Sequence, residues 1–241
     1  MAKYFDENKW IKAIKYNDWY LQISDDYKNL IKKAEESSLE MSKEIKEELY
    51  QFFERHIKNK SIALGKDGPN WDEERKSVDI IVIHHTKNSP GITWQRLSAM
   101  QLIRLYATYY ASTLYEKERH IKGQAIYSNH FKDSEQVFYA YHWLVRMDGS
   151  VERLLGDGEI GWQAGNWDVN CRSVAICLDN DFENSSPSDL VLSAIVKLIK
   201  EHYPRISPEN IKGHREVNLK TTCPGNKFLN GWKEKLIAMV T

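Results

Sequence analysis

Charge of one sign is missing from this sequence: 34 Lys and Arg stand against 34 Asp and Glu, a formal net charge of +0. No global basic field draws the chain to nucleic acid or to an anionic membrane, and neither is expected as a partner. Cysteine is scarce and odd in number. Cys171, Cys177 and Cys223 cannot all pair, which argues against a disulfide-stapled secreted domain. Long hydrophobic runs are lacking too. The stretch from Met1 to Asn8 has no apolar core of the signal-peptide kind, and no later run is long enough to span a bilayer. The chain is therefore expected to be made in the cytoplasm without a signal peptide or membrane insertion. Release by lysis or by a specialised export machine would leave no mark of this kind.

What is present is aromatic. Eight Trp and thirteen Tyr suit a groove that contacts sugar rings and peptide, although packing accounts for most such side chains. At 241 residues the chain can bury one good core with a modest extra segment, or two small domains. A helix is expected from about Lys9 to Leu21, with Trp10, Ile14 and Trp19 on its apolar side. From Asp25 to about Lys58, Leu30, Ile31, Ala34, Ile45, Leu49, Phe52 and Phe53 recur at helical spacing among Lys and Glu. Ser37-Ser38-Leu39-Glu40 can cap a second helix, so two helices are as compatible with the pattern as one. Turn formers crowd into Gly65 to Trp71, and the pattern changes after them. The expected division is a helical segment over 1–70 and a second domain over 71–241.

Beyond that boundary strands and helices alternate. Strands are expected over Val78–His84, Val137–Arg146, Val151–Leu155 and Ser173–Leu178, with a hairpin turn at Met147-Asp148-Gly149-Ser150. Thr93 can cap a helix running to about Tyr115, and Pro187-Ser188 open another over Leu190–His202. Mixed strand directions with intervening helices make this α/β with a mixed central β-sheet flanked by helices.

The run Ile80-Ile81-Val82-Ile83 stops at His84-His85-Thr86. Taken alone, such a pair caps a core strand. A second cluster weakens that account: Gly213-His214-Arg215-Glu216 lies far downstream, and Cys223-Pro224-Gly225 begins nine residues after His214. Two His and a Cys are donor types that hold zinc with one position left open. His142 alternates away from Tyr141 and should face the other side of its strand. His56, His120 and His202 sit on helical or charged stretches and read as surface residues.

The order of these signals, with Tyr141-His142-Trp143-Leu144-Val145 and Asn170-x-x-Ser173 between the histidine clusters, resembles the zinc-dependent N-acetylmuramoyl-L-alanine amidases. The branch it is most similar to includes amidase-type phage lysozymes and the peptidoglycan recognition proteins. The resemblance covers about Ser77 to the C-terminus. It implies a Zn2+ ion on His84, His214 and Cys223, with His85 as a neighbour that orients or packs. It implies that Tyr141 assists the chemistry over the metal, with Thr221, or Lys220 beside it, on the developing oxyanion. Trp143, Trp162, Trp167 and Asn170 are candidates for the groove that takes peptidoglycan or a muropeptide, simple packing being the competing account of each tryptophan.

Two departures stand out. Gln163 occupies a position where many relatives carry His, and Cys177 one where a branch carries a catalytic Glu. The insert between Ser112 and Gln136, with His130, has no clear match. The function implied is hydrolysis of the amide between N-acetylmuramic acid and L-alanine; the alternative is a non-catalytic peptidoglycan-binding protein. An enzyme of this kind would reach the cell wall by lysis or non-classical export. No protein partner is indicated.

Overall fold

The computed structural model describes residues 2–88, 90, 94–112 and 121–241. Its contacts divide the chain into two compact units, Met1–Asn70 with Thr93–Phe138, and Trp71–Ile92 with Tyr139–Thr241. Residues 93–138 thus lie in the second segment expected from sequence but in the first compact unit, so the expected division does not separate what the contacts separate.

In the first unit the expected helix near Lys9–Leu21 is broken in two, α1 (Glu7–Ala13) and α2 (Trp19–Gln22), with Asp6 capping α1 by accepting the Lys9 N–H at 3.0 Å. Next come α3 (Ser24–Glu36) and α4 (Leu39–Lys58). The Ser37-Ser38 signal is a true break. Both residues have extended ψ angles, and the Ser38 hydroxyl accepts the Met41 N–H, one of the donors a new helix leaves without an internal partner. Trp10, Trp19, Ile45, Leu49 and Phe53 are buried here at 1% exposure or less.

His56 corrects its expected surface placement. Its Nδ1 lies 2.6 Å from Ser61 Oγ, its ring packs on Phe52 at 4.5 Å between centroids, and burial pushes its pKa down. A helical face defined by charged neighbours concealed that α4 turns this position inward. The helix expected after Thr93, α5 (Trp94–Gln101), runs into a π-helical stretch (Leu102–Ala107) and the short α6 (Thr108–Tyr110). The Thr93 cap and His120 fall outside the described residues. A hairpin follows, β2 (His130–Lys132) and β3 (Glu135–Val137), closed by Asp133 and Ser134, both at positive φ as a tight two-residue turn requires.

The second unit is a five-stranded mixed sheet in the order β5-β4-β6-β1-β7. Its strands are β1 (Ile80–His85), β4 (Trp143–Val145), β5 (Val151–Arg153), β6 (Ser173–Leu178) and β7 (Ile211–Gly213). β1 pairs in parallel with β6 and β7, β4 in parallel with β6, and β5 antiparallel with β4 across the turn at Gly149. The helices are α7 (Trp167–Arg172), α8 (Asp189–His202), α9 (His214–Val217) and α10 (Lys233–Val240).

The single strand expected over Val137–Arg146 does not form. Val137 ends β3, and β4 begins only at Trp143. Burial continues from Phe138 to Ala140, which gives the segment a strand's hydropathy without strand pairing.

Alternation along β1 sends its side chains to two different layers. Ile81, Ile83 and their neighbours Val174, Ile176, Trp143 and Val145 join an apolar cluster with Val191, Leu192, Ile195 and Ile199 of α8. Ile80 and Val82 face a small cluster with Ala164 and Val169, and His84 continues that face.

Candidate metal centre

The chemistry-bearing side chains gather where parallel strands end together. β1 delivers His84 beside the last residue of β7, Gly213, which pairs with Ile83, and His214 follows as the first residue of α9. Cys223 arrives on a loop. Its carbonyl accepts from Arg215 N–H at 2.8 Å, its Sγ receives the His85 N–H at 3.4 Å, and its N–H donates to Thr221 Oγ1 at 3.1 Å. Glycine is required just beyond it. Gly225 has φ +120°, and a Cβ there would run into the Phe182 carbonyl.

One donor atom each from His84, His214 and Cys223 lies within 4.8 Å of the others, with 3.7 Å between His84 Nδ1 and Cys223 Sγ and 4.6 Å between the imidazole centroids. Burial sets the electrostatics. It drives the His84 pKa well below the usual imidazole value, aided by the neighbouring His214, and lowers His214 as well. It pushes the Cys223 thiol up to about 12. Two imidazoles kept neutral by burial, and a thiol whose ionisation burial makes harder, form the donor set. A divalent metal ion is the species whose charge would reverse the push on the thiol and accept both imidazoles as they stand, so the residues fit a metal ion.

A turn supports both histidines. Gln163 Oε1 lies 2.5 Å from His84 Nε2, while its Nε2 donates to Ser173 Oγ at 2.8 Å. The next residue, Ala164, places its carbonyl 3.2 Å from His214 Nε2. Asn170 Oδ1 accepts the backbone N–H of both, at 3.2 Å from Gln163 and 2.8 Å from Ala164. Gln163 stood out in the sequence only as a departure, and its contact with His84 depends on a loop returning from 79 residues away.

Among the expected site residues, Tyr141 is half-buried, with its ring 5.1 Å from that of His84. Thr221 touches the Cys223 backbone as described, and Lys220 is exposed, its N–H donating to Asn218 Oδ1 at 3.0 Å. Trp162 and Trp167, both half-buried, form an edge-to-face trio with Trp71 at centroid distances of 5.2 to 5.7 Å. Trp71 had no signal beyond its place in the turn-rich boundary. Asn170 is 5% exposed and its side-chain oxygen holds the turn, so it acts on the loop rather than facing a groove.

Trp143 and His85 lie on the other face of the sheet. Trp143 pairs with Ile176, donates from Nε1 to Tyr203 OH at 2.7 Å and carries the Arg153 guanidinium 4.2 Å over its ring. As a groove residue Trp143 is corrected by this placement: period-two alternation sends it into the apolar layer. His85 Nδ1 accepts the Phe182 N–H at 2.9 Å, so its imidazole packs while its backbone supports Cys223. Cys177 pairs with His84 and shares its face, fully buried. His142 is buried and neutral, accepting from Ala175 N–H and donating to the Glu159 carbonyl, and its pKa is pushed down to about 3 by burial.

The family model for N-acetylmuramoyl-L-alanine amidases matches residues 74–226. No curated protein sequence matches the chain. Among solved structures, similarity extends to the N-acetylmuramoyl-L-alanine amidase LysC from Clostridium intestinale URNW, at 20% identity over 71% of this chain and 93% of that one, with a TM-score of 0.48. A selenomethionine derivative of AmpD matches at 19% identity over 70% and 87%, with a TM-score of 0.46. Drosophila peptidoglycan recognition protein SD matches at 19% over 68% and 83%, with a TM-score of 0.39.

Proposed function

The chain belongs to the N-acetylmuramoyl-L-alanine amidase family, and with that as premise we propose that it is a zinc-dependent hydrolase of the amide joining N-acetylmuramic acid to the L-alanine of the peptidoglycan stem. One observation carries the zinc reading: His84, far upstream in the sequence, meets His214 and Cys223 so that three donor atoms lie within 4.8 Å of one another in a largely buried setting. These are the ligand types of catalytic zinc, three from protein with one position open. Zinc bound there would lower the pKa of a water to about 7 and polarise the scissile carbonyl as a Lewis acid.

The chain's own residues supply the rest. The His85 backbone N–H, 3.4 Å from Cys223 Sγ, favours the thiolate that a metal requires. Tyr141, whose ring lies beside that of His84, would orient the attacking water or donate its hydroxyl to the oxygen on which negative charge develops. Thr221 Oγ1 accepts the Cys223 N–H and so keeps its own O–H to give, with Lys220 next to it as a cationic alternative. Trp162, on the loop that carries Gln163, and Trp167, at the start of α7, would offer flat apolar surface to the sugar or stem peptide. Cys177 lies beside His84 where a carboxylate base would otherwise stand, which shifts proton handling toward Tyr141.

A protein that only binds peptidoglycan has no use for three converging donors, and their completeness favours the enzyme. The test is to load the protein with zinc, incubate it with purified sacculi and with soluble muropeptides, and look for free stem peptide by mass spectrometry. Release that stops on chelation is expected. Binding without release from either substrate would overturn the proposal. Release from soluble fragments alone would restrict the substrate to cell-wall turnover products.

A further inference from the structure

We propose that the Gln163-Ala164 turn, pinned by Asn170, holds both His84 and His214 as Nε2–H tautomers, so that Nδ1 is the atom each imidazole offers to the metal. The proposal rests on reading the two histidines as ligands, and it assigns to Gln163 and Asn170 a positioning role.

A neutral imidazole has one N–H and one acceptor nitrogen, and the partner of one nitrogen decides the state of the other. An amide or peptide oxygen can only accept. Gln163 Oε1, 2.5 Å from His84 Nε2, and the Ala164 carbonyl, 3.2 Å from His214 Nε2, therefore both require the hydrogen on Nε2. The Gln163 amide presents Oε1 to His84 while its Nε2 donates to Ser173 Oγ at 2.8 Å, and the Ala164 carbonyl, which has no such second orientation, imposes the same tautomer on His214. On His84 the nitrogen left bare is the one 3.7 Å from Cys223 Sγ, inside the donor cluster. On His214, with Nε2 taken, Nδ1 alone remains.

The two acceptors are consecutive residues, and one side chain sets their backbone. Asn170 Oδ1 receives both N–H groups from within α7, whose start is capped by Asn166 on the Val169 N–H. Arg75 holds the far end of that helix, donating to the carbonyls of Asn170, Cys171 and Ser173 at 2.9 to 3.2 Å. Support of this kind around a metal raises ligand basicity and fixes ring orientation, and its loss typically lowers metal affinity about 10- to 100-fold.

The test has two independent readouts. Two-bond 1H–15N correlation spectra of the metal-free 15N-labelled protein should show both histidines as Nε2–H tautomers. In Gln163→Leu, His84 alone should lose that preference, and zinc affinity measured by chelator competition should fall about 10- to 100-fold. Gln163→Glu, which keeps an acceptor, should retain both. Asn170→Ala should disturb both imidazoles, and Asn170→Asp, which keeps the oxygen, should restore them. An Nδ1–H tautomer on either histidine of the wild-type protein overturns the proposal, as does an unchanged His84 tautomer in a folded Gln163→Leu. A wild-type protein with the stated tautomers that takes up no zinc would uphold the tautomer lock and overturn the metal centre instead.

Discussion

The two faces of strand β1 are built from one hydrophobic run and end in the same residue type, yet they do different things. On one face Ile81 and Ile83 enter the apolar layer under α8, and His85 finishes it with a hydrogen bond from the Phe182 N–H. On the other, Ile80 and Val82 join a small apolar cluster with Ala164, Val169 and Val217 before His84 opens the donor cluster. The broad layer makes the scaffold rigid. The thin one leaves room for loops that bring polar groups to the strand end, where their partners have been fixed in advance.

The strongest way to break this comparison is to exchange the fates of the two histidines. His84→Ala should abolish zinc uptake and reduce stem-peptide release to background. His85→Ala should keep the metal but cost about 1–3 kcal/mol of stability, since it strands the buried Phe182 N–H. Metal analysis and thermal melts of the two variants decide it, and equal metal loss would erase the distinction between the faces. Ile83→Ala, on the apolar face, should lower unfolding free energy by about 2–5 kcal/mol in denaturant titration while the folded fraction binds zinc normally. Tyr141→Phe should do the reverse, lowering kcat about 10^2- to 10^3-fold with metal content and stability unchanged.

Acid and alkali separate the faces more gently. His142 is held neutral, its pKa pushed down to about 3 by burial, so the stability it contributes is present above about pH 6.5 and is lost as the pH falls toward 3. The Cys223 thiol moves the other way, up to about 12, so its contribution in the metal-free protein is present below about pH 9 and lost as the pH rises toward 12. Urea midpoints across pH should fall at both ends. Cys223→Ser should flatten only the alkaline end, and an alkaline limb insensitive to it would remove Cys223 as its cause. The smallest effect is expected at the rim: Trp162→Ala should raise KM by about tenfold or less, with kcat nearly constant, in line with loss of one aromatic contact.

Much of the site was legible because its chemistry lies in residue types at strand ends. His84 terminates an apolar run, and His214 and Cys223 flank short turn-bounded segments, so identity and context agree. Trp143 was misread because Tyr141, two residues before it, belongs to the site but lies outside β4, and nothing local tells where the strand begins or which layer its aromatic will enter. Gln163 was visible as a departure without a role, since a glutamine acquires one only from what folds against it. His56 misled in the opposite sense: charged neighbours made a buried position look exposed.

By itself the sequence determined the α/β alternation, the apolar strand that ends in two histidines, the cap at Ser38 that allowed but did not require a break between α3 and α4, and the three donors with the chemistry they imply. Those features are local, set by periodicity, capping and side-chain type. The tertiary structure alone decided which compact unit takes residues 93–138, which face each aromatic occupies, and how Asn170 ties one turn to two imidazoles. Each of these depends on strand register and loop return, and a hydrogen bond between residues 79 positions apart leaves no periodic trace in the chain.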